Sequence, residues 1–359
     1  MRAATGLGSN GTRRHGTKAV DVWLWLTAFL VLVMVGVGGA TRLTGSGLSI
    51  TEWQPILGAI PPLSEADWQD AFAKYKLIPQ YTQVNKGMAL PEFKAIFWWE
   101  WGHRFLGRLI GLAFALPLAW FWWQGRVGGA LGRRLFVLLA LGGLQGFIGW
   151  YMVISGLSER TSVSQYRLAM HLGLAILIFG LLVWTALDLA ADRARARSVR
   201  LATLSDSQRR SACWLTGLVF VQILLGALVA GLRAGHTYNT WPLMDGKVIP
   251  DGLITMAPWY LNAFENITTV QFNHRLMAYV VLAFATAHAY SLQRVSDDGF
   301  VSGSAWTLLV AILAQAALGI WTLLEVVPLG LGIAHQVGAA LVFGIAVWHL
   351  HAVRRAGAG

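Results

Sequence analysis

Long apolar runs separated by polar connections dominate the hydrophobic pattern of this chain. Eight of these runs approach the roughly 20 residues that a helix needs to cross the hydrocarbon core of a bilayer. They occupy residues 22–39, 105–123, 135–154, 168–187, 212–232, 276–292, 305–324 and 329–353. We therefore predict an all-α polytopic membrane protein with eight transmembrane helices.

The composition and the placement of charge narrow the class of protein further. Hydrophobic residues make up 56% of the chain and charged residues only 13%, a balance too apolar for a soluble protein. The net charge of +11 resides mainly in alternate connections, within 2–18, 126–134, 193–210 and 354–355. Because positive loops mark the cytoplasmic side, we predict cytoplasmic N and C termini and two long outer loops, and no nucleic-acid partner.

The chain contains an internal repeat of four segments. The matched positions are Arg42 and Arg233, His103-Arg104 and His274-Arg275, Gln145 and Gln315, and His171 and His335. Four segments repeated in the same order have the same orientation, which predicts two four-helix bundles related by a pseudo-twofold axis along the membrane normal. The predicted parts are an N-terminal tail (1–20), a first half (21–190) with a large outer loop (42–99), a basic linker (191–211) and a second half (212–353).

The first outer loop has its own helical signals. Ser64 is a suitable N-cap, and Trp68, Phe72 and Tyr75 follow at helical spacing, which predicts a short amphipathic helix on the outer surface or over the bundle. Pro91 suits the first turn of a further helix that continues into the second transmembrane segment.

Four of the nine histidines share one kind of position. His103, His171, His274 and His335 all lie at outer helix mouths, on the second and fourth helix of each half. Neutral imidazole is a good axial ligand for haem iron, and two histidines facing one another across a bundle can hold a porphyrin. The alternative is that each histidine caps a helix end at the membrane interface. The recurrence in both halves favours haem ligation, whereas zinc is disfavoured because the pairs offer neither cysteine nor HxxxH spacing.

The other polar residues near these helix mouths are arginines and glutamines. Arg104 and Arg275, with Arg42 and Arg233 as further candidates, can pair with haem propionates or reach lipid phosphates. Gln145 and Gln315 are predicted to form hydrogen bonds between helices.

A second regular spacing leaves a further haem open. His288 follows His274 by fourteen residues, and His349 follows His335 by the same interval, which is roughly 21 Å along a helix. A third haem could therefore lie near the inner leaflet of the second half only. The ordinary alternative is a solvated histidine at the inner boundary, and the sequence assigns no role to His236.

Two stretches carry a resemblance to a known family. The segment 41–49, TRLTGSGLS, leads to Trp53-Gln54-Pro55, and the segment 100–104 reads EWGHR. With the two four-helix halves and the paired histidines, these motifs resemble the haem A synthase family over 22–353. The match is to the branch shared by alphaproteobacteria and mitochondria. The cysteine pair of the other branch has no counterpart, because Cys213 is the only cysteine.

The resemblance implies an activity and a division of labour. Haem A synthases oxidise the C8 methyl of haem O through a hydroxymethyl stage to the formyl group of haem A, for terminal oxidase assembly. By position, His274 and His335 would ligate a resident haem b, and His103 and His171 would hold the substrate haem. Glu100 would take part in the chemistry, since an acid can accept protons or stabilise positive charge, whereas Gln271 stands at its place in the second half.

The same resemblance sets the expected location and partners. The location would be the bacterial cytoplasmic (inner) membrane, or the mitochondrial inner membrane in a eukaryote. The expected partners are haem O, membrane lipid, an unidentified electron donor, and a haem O synthase or oxidase assembly factors; a homo-oligomer is left open. A di-haem b-type electron-transfer cytochrome is the alternative function, because it also needs paired histidines but no unique acid.

Overall fold

A computed structural model describes residues 9–54, 57–157, 161–194, 204–295 and 299–356. Within these ranges the chain forms α-helices and short 3₁₀ turns joined by loops. The α-helices are α1 (Ser9–Leu43), α2 (Glu65–Tyr75), α3 (Pro79–Gln83), α4 (Leu90–Trp123), α5 (Gly129–Leu157), α6 (Gln165–Ala194), α7 (Asp206–Gly231), α8 (Asn262–Glu265), α9 (Ile267–Val295), α10 (Gly299–Leu324) and α11 (Leu329–Arg355).

Eight helices in the described ranges are long and apolar enough to cross a membrane: α1, α4, α5, α6, α7, α9, α10 and α11. Seven of them contain a whole predicted segment, and α7 covers the segment 212–232 except for its last residue. The prediction of an all-α, multi-pass membrane protein is therefore confirmed. The prediction of a helix that has Pro91 in its first turn and continues into the second transmembrane segment is also confirmed, because α4 begins at Leu90 and runs without a break through the apolar run that starts at residue 105. Pro91 lies in its first turn, and the side chain of Glu92 accepts the Ala89 N–H at 2.8 Å, so this end is capped well before the apolar run starts.

The helices of each half form a ring. In the first half α1 packs against α4 and α6, and α5 lies between α4 and α6; in the second half α7, α9, α10 and α11 close in the same order. The halves meet through α6 with α7 and through α11 with α1 and α6. The buried side chains along these contacts form one continuous apolar core.

The two long loops lie at the same end of the molecule. Arg42, in the last turn of α1, donates from Nη2 to the carbonyls of Ala230 and Gly231 at the end of α7, at 3.0 Å each. The C-terminal ends of α1 and α7 are therefore neighbours, and we call the end that they share the loop face. The pseudo-twofold axis, the domain boundaries and the cytoplasmic side of the termini stay predictions. Residues 1–8 of the predicted tail, residues 195–203 of the linker, and Pro55 lie outside the described residues.

The amphipathic helix predicted in the first outer loop is α2. Ser64 caps it: its hydroxyl accepts the Asp67 N–H at 3.1 Å, and Asp67 accepts the Ser64 N–H at 2.9 Å. Hydrogen bonds to the Asp67 carboxylate from the Ser64 main chain and side chain and from the Leu63 N–H hold the pKa of this exposed carboxyl below its ordinary value. Trp68, Phe72 and Tyr75 are buried, as predicted.

The apolar face of α2 packs against the part of α4 that precedes the membrane segment. The ring of Phe72 stacks on Phe93 at 5.0 Å between centroids, and Trp68 meets Phe97 edge-on at 4.9 Å. Leu48 and Val163 complete this second, smaller core. It places the loop 44–54 beside α4, where the histidine motif begins.

Candidate haem site

Each half carries one histidine pair across its ring of helices. In the first half His103 lies on α4 and His171 on α6, and in the second half His274 lies on α9 and His335 on α11. In both halves the two helices are diagonal neighbours in the ring, so the pairs span the centres of the bundles. All four side chains are partly exposed, and among the described residues no hydrogen bond joins the two rings of either pair.

A glycine on an adjacent helix faces each of these four histidines. The facing pairs, with the distance from a Cβ atom placed on the glycine to the nearest imidazole atom, are Gly38 and His103 at 3.2 Å, Gly149 and His171 at 3.0 Å, Gly226 and His274 at 3.1 Å, and Gly319 and His335 at 2.7 Å. A real side chain at any of these positions would press on the ring. The four glycines therefore make the space in which the imidazoles stand.

Three of the four histidines are also held by a glutamine. The amide Nε2 donates to the main-chain carbonyl of the histidine and lies beside its ring Nδ1; the pairs are Gln145 with His171 at 3.0 and 3.2 Å, Gln222 with His274 at 3.1 and 3.2 Å, and Gln315 with His335 at 2.7 and 3.0 Å. Donor and acceptor at the ring nitrogen depend on the tautomer. The prediction of helix-to-helix bonds from Gln145 and Gln315 is confirmed. Their partners are the predicted haem ligands, which the sequence did not indicate.

The residues at these two positions fit a haem. The donor set is two imidazoles per half on opposite sides of a four-helix ring, and a porphyrin held between helices needs that arrangement. The glycines keep space around the rings, and the side-chain oxygens of Gln145 and Gln222 are buried without a hydrogen-bond partner. Polar atoms of that kind next to a metal ligand can orient it when the metal is bound.

Glu100 lies one helical turn before His103 and is 2% exposed. One carboxylate oxygen accepts the Ser49 hydroxyl and the Ile50 N–H, each at 2.8 Å. The other accepts from Arg104 Nε at 3.1 Å and Nη2 at 2.7 Å. Glu100 is therefore a buried anion with four donors, and the neighbouring Arg104 is its cationic partner. Its part in the chemistry stays a prediction.

Arg104 carries the connection from α4 to the loop. Its guanidinium donates to the carbonyls of Ile50 at 2.8 Å and Glu52 at 3.1 Å, and Arg108, one turn further on, donates to the carbonyl of Gln54 at 3.0 Å. Every second carbonyl from residue 50 to residue 54 is thus bound by an arginine of α4. These bonds hold Arg104 against protein acceptors, which disfavours the lipid-phosphate reading for this residue.

The second half has the same connection between helix and loop, but here the helix side chain donates and the loop accepts. Gln271, 2% exposed, donates from Nε2 to the carbonyls of Ala234 at 3.0 Å and Tyr238 at 3.4 Å. Arg275 donates to the carbonyl of Tyr238 at 2.7 Å and to that of Thr240 at 2.9 Å, while its buried Nε has no partner. The first loop presents donors to an acid, whereas the second presents carbonyls to an amide. Pairing with a propionate stays a prediction for both arginines.

The two deeper histidines of the second half touch each other. His288 Nε2 and His349 Nε2 lie 2.8 Å apart, and the outer nitrogens bond to the hydroxyls of Ser211 and Ser304, each at 2.8 Å. An iron between two imidazoles needs about 4 Å between nitrogens, from two bonds of about 2 Å each. This arrangement therefore does not support the third haem that the sequence left open. The alternative of a solvated histidine is also wrong, because His349 is fully buried at 0% exposure.

Sequence reasoning missed a motif that it could have found. A glutamine four residues before the facing glycine occurs in α5, α7 and α10, as Gln145 and Gly149, Gln222 and Gly226, and Gln315 and Gly319. The predicted repeat aligned the third and seventh segments but not the first and fifth at this position, so Gln222 was left out. The shared four-residue interval was the available signal, because residues at that spacing lie on one helix face.

Comparisons with known proteins agree with the geometry. Residues 21–347 match the family model COX15-CtaA, described as cytochrome oxidase assembly protein. A protein of Parvibaculum lavamentivorans named heme A synthase is 56% identical over 333 residues, which cover 93% of this chain and 94% of that protein. Proteins of the same name from Bradyrhizobium sp. (strain ORS 278) and Brucella ovis are 54% identical over 92% and 90%, and 50% identical over 99% and 99%, of this chain and of theirs. This chain therefore belongs to the COX15-CtaA family of cytochrome oxidase assembly proteins.

Proposed function

We propose that this protein is a haem A synthase of the bacterial inner membrane, which oxidises the C8 methyl of haem O through a hydroxymethyl stage to the formyl group of haem A. The family and the names of relatives at 50–56% identity support the activity. The observation that carries the proposal is the histidine pair that recurs in both halves, with each ring facing a glycine of an adjacent helix. The product would then serve the assembly of a terminal oxidase.

The two halves have different tasks in this proposal. His274 and His335 hold a resident haem b, which supplies one-electron oxidation and reduction when bound. His103 and His171 hold the substrate haem O in the first half. The support for this division is that the first pair alone lies next to a buried acid, Glu100, whereas the matching position in the second half is the amide of Gln271.

The residues of the first half position the substrate. Glu100 and Arg104 fix residues 49–52 against α4 one turn from His103, so that the loop closes the loop-face side of the site. The ion pair keeps both charges out of lipid and compensated. Glu100 remains the acid proposed for the chemistry, and its contacts assign it at least the holding of Arg104 and the loop.

An apolar substrate and product also define the partners. Haem O and haem A stay in or next to the membrane, so delivery by a haem O synthase and transfer to oxidase assembly factors are the proposed exchanges. The electron donor is unidentified.

A product assay tests the function. The full-length protein is produced in a bacterial strain that makes haem O but lacks its own haem A synthase, and haem is extracted from the membranes and separated by chromatography. Haem with a formyl group is expected with the parent chain and not with the His171→Ala variant. Protein that contains haem with a bis-histidine spectrum but yields no formyl porphyrin would contradict the proposal and favour the di-haem cytochrome.

A further inference from the structure

His103 is the exception among the four histidines of the loop face. The other three have a glutamine four residues before the facing glycine, but α1 has Met34 in that place, four residues before Gly38. Met34 has no amide to donate. Its methyl group instead lies 3.3 Å from a Cβ placed on Gly107, one turn beyond His103 on α4.

The ring of His103 differs in its contacts accordingly. Within the described part of the chain its imidazole forms no hydrogen bond, and it is held by packing against Gly38. It is also turned over relative to the others: its Nε2 and Cδ2 face the glycine, at 3.2 and 3.5 Å, whereas the other three present Cε1. A ring that no amide orients can turn about its Cβ–Cγ bond, whereas an amide fixed to the same residue's carbonyl restrains the other three.

The substrate site is therefore asymmetric. His171 on one side is restrained by Gln145, and His103 on the opposite side is not, whereas both histidines of the second half are restrained. A haem iron bound by two histidines has no free position for another ligand. An iron that must react needs one ligand that leaves, and an iron that only transfers electrons does not.

We propose that His103 is the exchangeable ligand of the substrate haem and that Met34 is the positioning residue that keeps it exchangeable. This inference rests on the proposed function. It adds which of the two histidines leaves the substrate iron and so frees a coordination position. In this proposal His103 would be the ligand that leaves the iron, and His171 would be the one that stays, because Gln145 restrains it. In this proposal neither His274 nor His335 of the second half leaves its iron.

The probe is carbon monoxide, which binds ferrous haem only where a coordination position is free. The full-length protein is purified, loaded with two haem b per chain, reduced and titrated with carbon monoxide in the absorption spectrum. We expect one of the two haems to bind it in the parent chain. Met34→Gln installs the missing amide with little change in side-chain length, and it should weaken carbon monoxide binding about fivefold, since one added hydrogen bond restrains the competing ligand. Met34→Leu, which adds no amide, should bind as the parent does.

The second half supplies the reciprocal variant. Gln222→Met removes the amide from His274 and should let the second haem bind carbon monoxide as well. Equal binding in the parent and Met34→Gln, or a second haem that stays closed in Gln222→Met while its haem content is normal, would overturn the inference. Neither readout requires haem A to be formed, so failure of the proposed function would appear separately, as a parent chain that yields no formyl porphyrin.

Discussion

The two halves of the molecule use the same frame for different contacts. Both place histidines on diagonal helices, glycines opposite them and an arginine that binds the loop carbonyls. They differ at single positions within that frame: Glu100 against Gln271, and Met34 against Gln222. In the first half the loop donates to a buried anion, and in the second a neutral amide donates to the loop. The lesson is that two four-helix rings with the same frame can differ in the charge and hydrogen bonding around their histidines through a few polar residues, without a change of architecture.

The largest effect is expected when the buried acid of the first half is replaced by the amide that the second half has at the matching position. Glu100→Gln leaves Arg104 as a buried cation without its anion and should lower the free energy of unfolding by about 3 kcal/mol, since truncating one partner of a buried pair is costly. Haem A formation should fall to a small fraction of that of the parent. Thermal unfolding in detergent and haem extraction measure the two effects. Glu65→Gln is the matched control, because Glu65 is an exposed acid of the same loop that pairs with Lys94 at 3.3 Å. A normal rate of haem A formation in Glu100→Gln would remove Glu100 from the reaction.

The inner histidine pair tests whether the second half holds one haem or two. His349→Gln removes the imidazole that bonds both His288 and Ser304 in this buried chain and should cost about 1–3 kcal/mol of stability, because His288 Nε2 and the Ser304 hydroxyl then lose this partner. The haem content per purified chain should not change. A loss of one haem per chain in this variant, with His335 intact, would show that the pair binds haem after all.

The glycines that face the histidines sharpen the comparison within each half. Gly319→Ala places a methyl group 2.7 Å from His335, and Gly149→Ala places one 3.0 Å from His171. Overpacking of this kind costs about 1–3 kcal/mol, with the larger effect expected at the shorter distance. We expect Gly319→Ala to lose resident haem and Gly149→Ala to lose haem A formation, both measured on purified protein. Gly142→Ala on α5, where no atom lies within 4 Å of the added carbon, is the control.

The smallest effect is expected in the outer loop between α1 and α4, which is longer than the corresponding loop of the second half. Ser64→Ala removes the cap of α2 and should lower stability by about 1 kcal/mol, as other N-cap substitutions do. Proteolysis between α1 and α4 should become faster, while haem content stays as in the parent. Unchanged proteolysis would mean that the packing of Trp68 and Phe72 alone holds this helix.

The transmembrane helices, the loop helix and the histidine positions could be predicted because each depends on a local pattern. Apolar runs of bilayer length, the Ser64 cap with Trp68 at helical spacing, and Pro91 in a first turn are all readable within a few residues. The positions of His103 and His171 on diagonal helices of one ring follow from the order of the four helices, and their pairing on one haem stays a prediction.

Contacts that depend on the path of a loop or on the approach of two helices could not be predicted. The bond from Ser49 to Glu100 joins residues 51 apart through a loop whose course the sequence does not specify. The interval between His274 and His288 placed the deeper histidine on the right face, but spacing along a helix does not set the distance to the next helix. For that reason a direct hydrogen bond and a haem site were equally compatible with it.

The length of α4 indicates from which medium, membrane or water, each reactant reaches His103. Counting back from Trp123, about 30 Å of helix, the thickness of a bilayer core, ends near Arg104, and the remaining turns up to Leu90 extend about 20 Å further. By this count we expect His103 to lie at the boundary between lipid and water. An apolar reactant is then expected to approach it laterally from the membrane, and a small water-soluble one from the aqueous side.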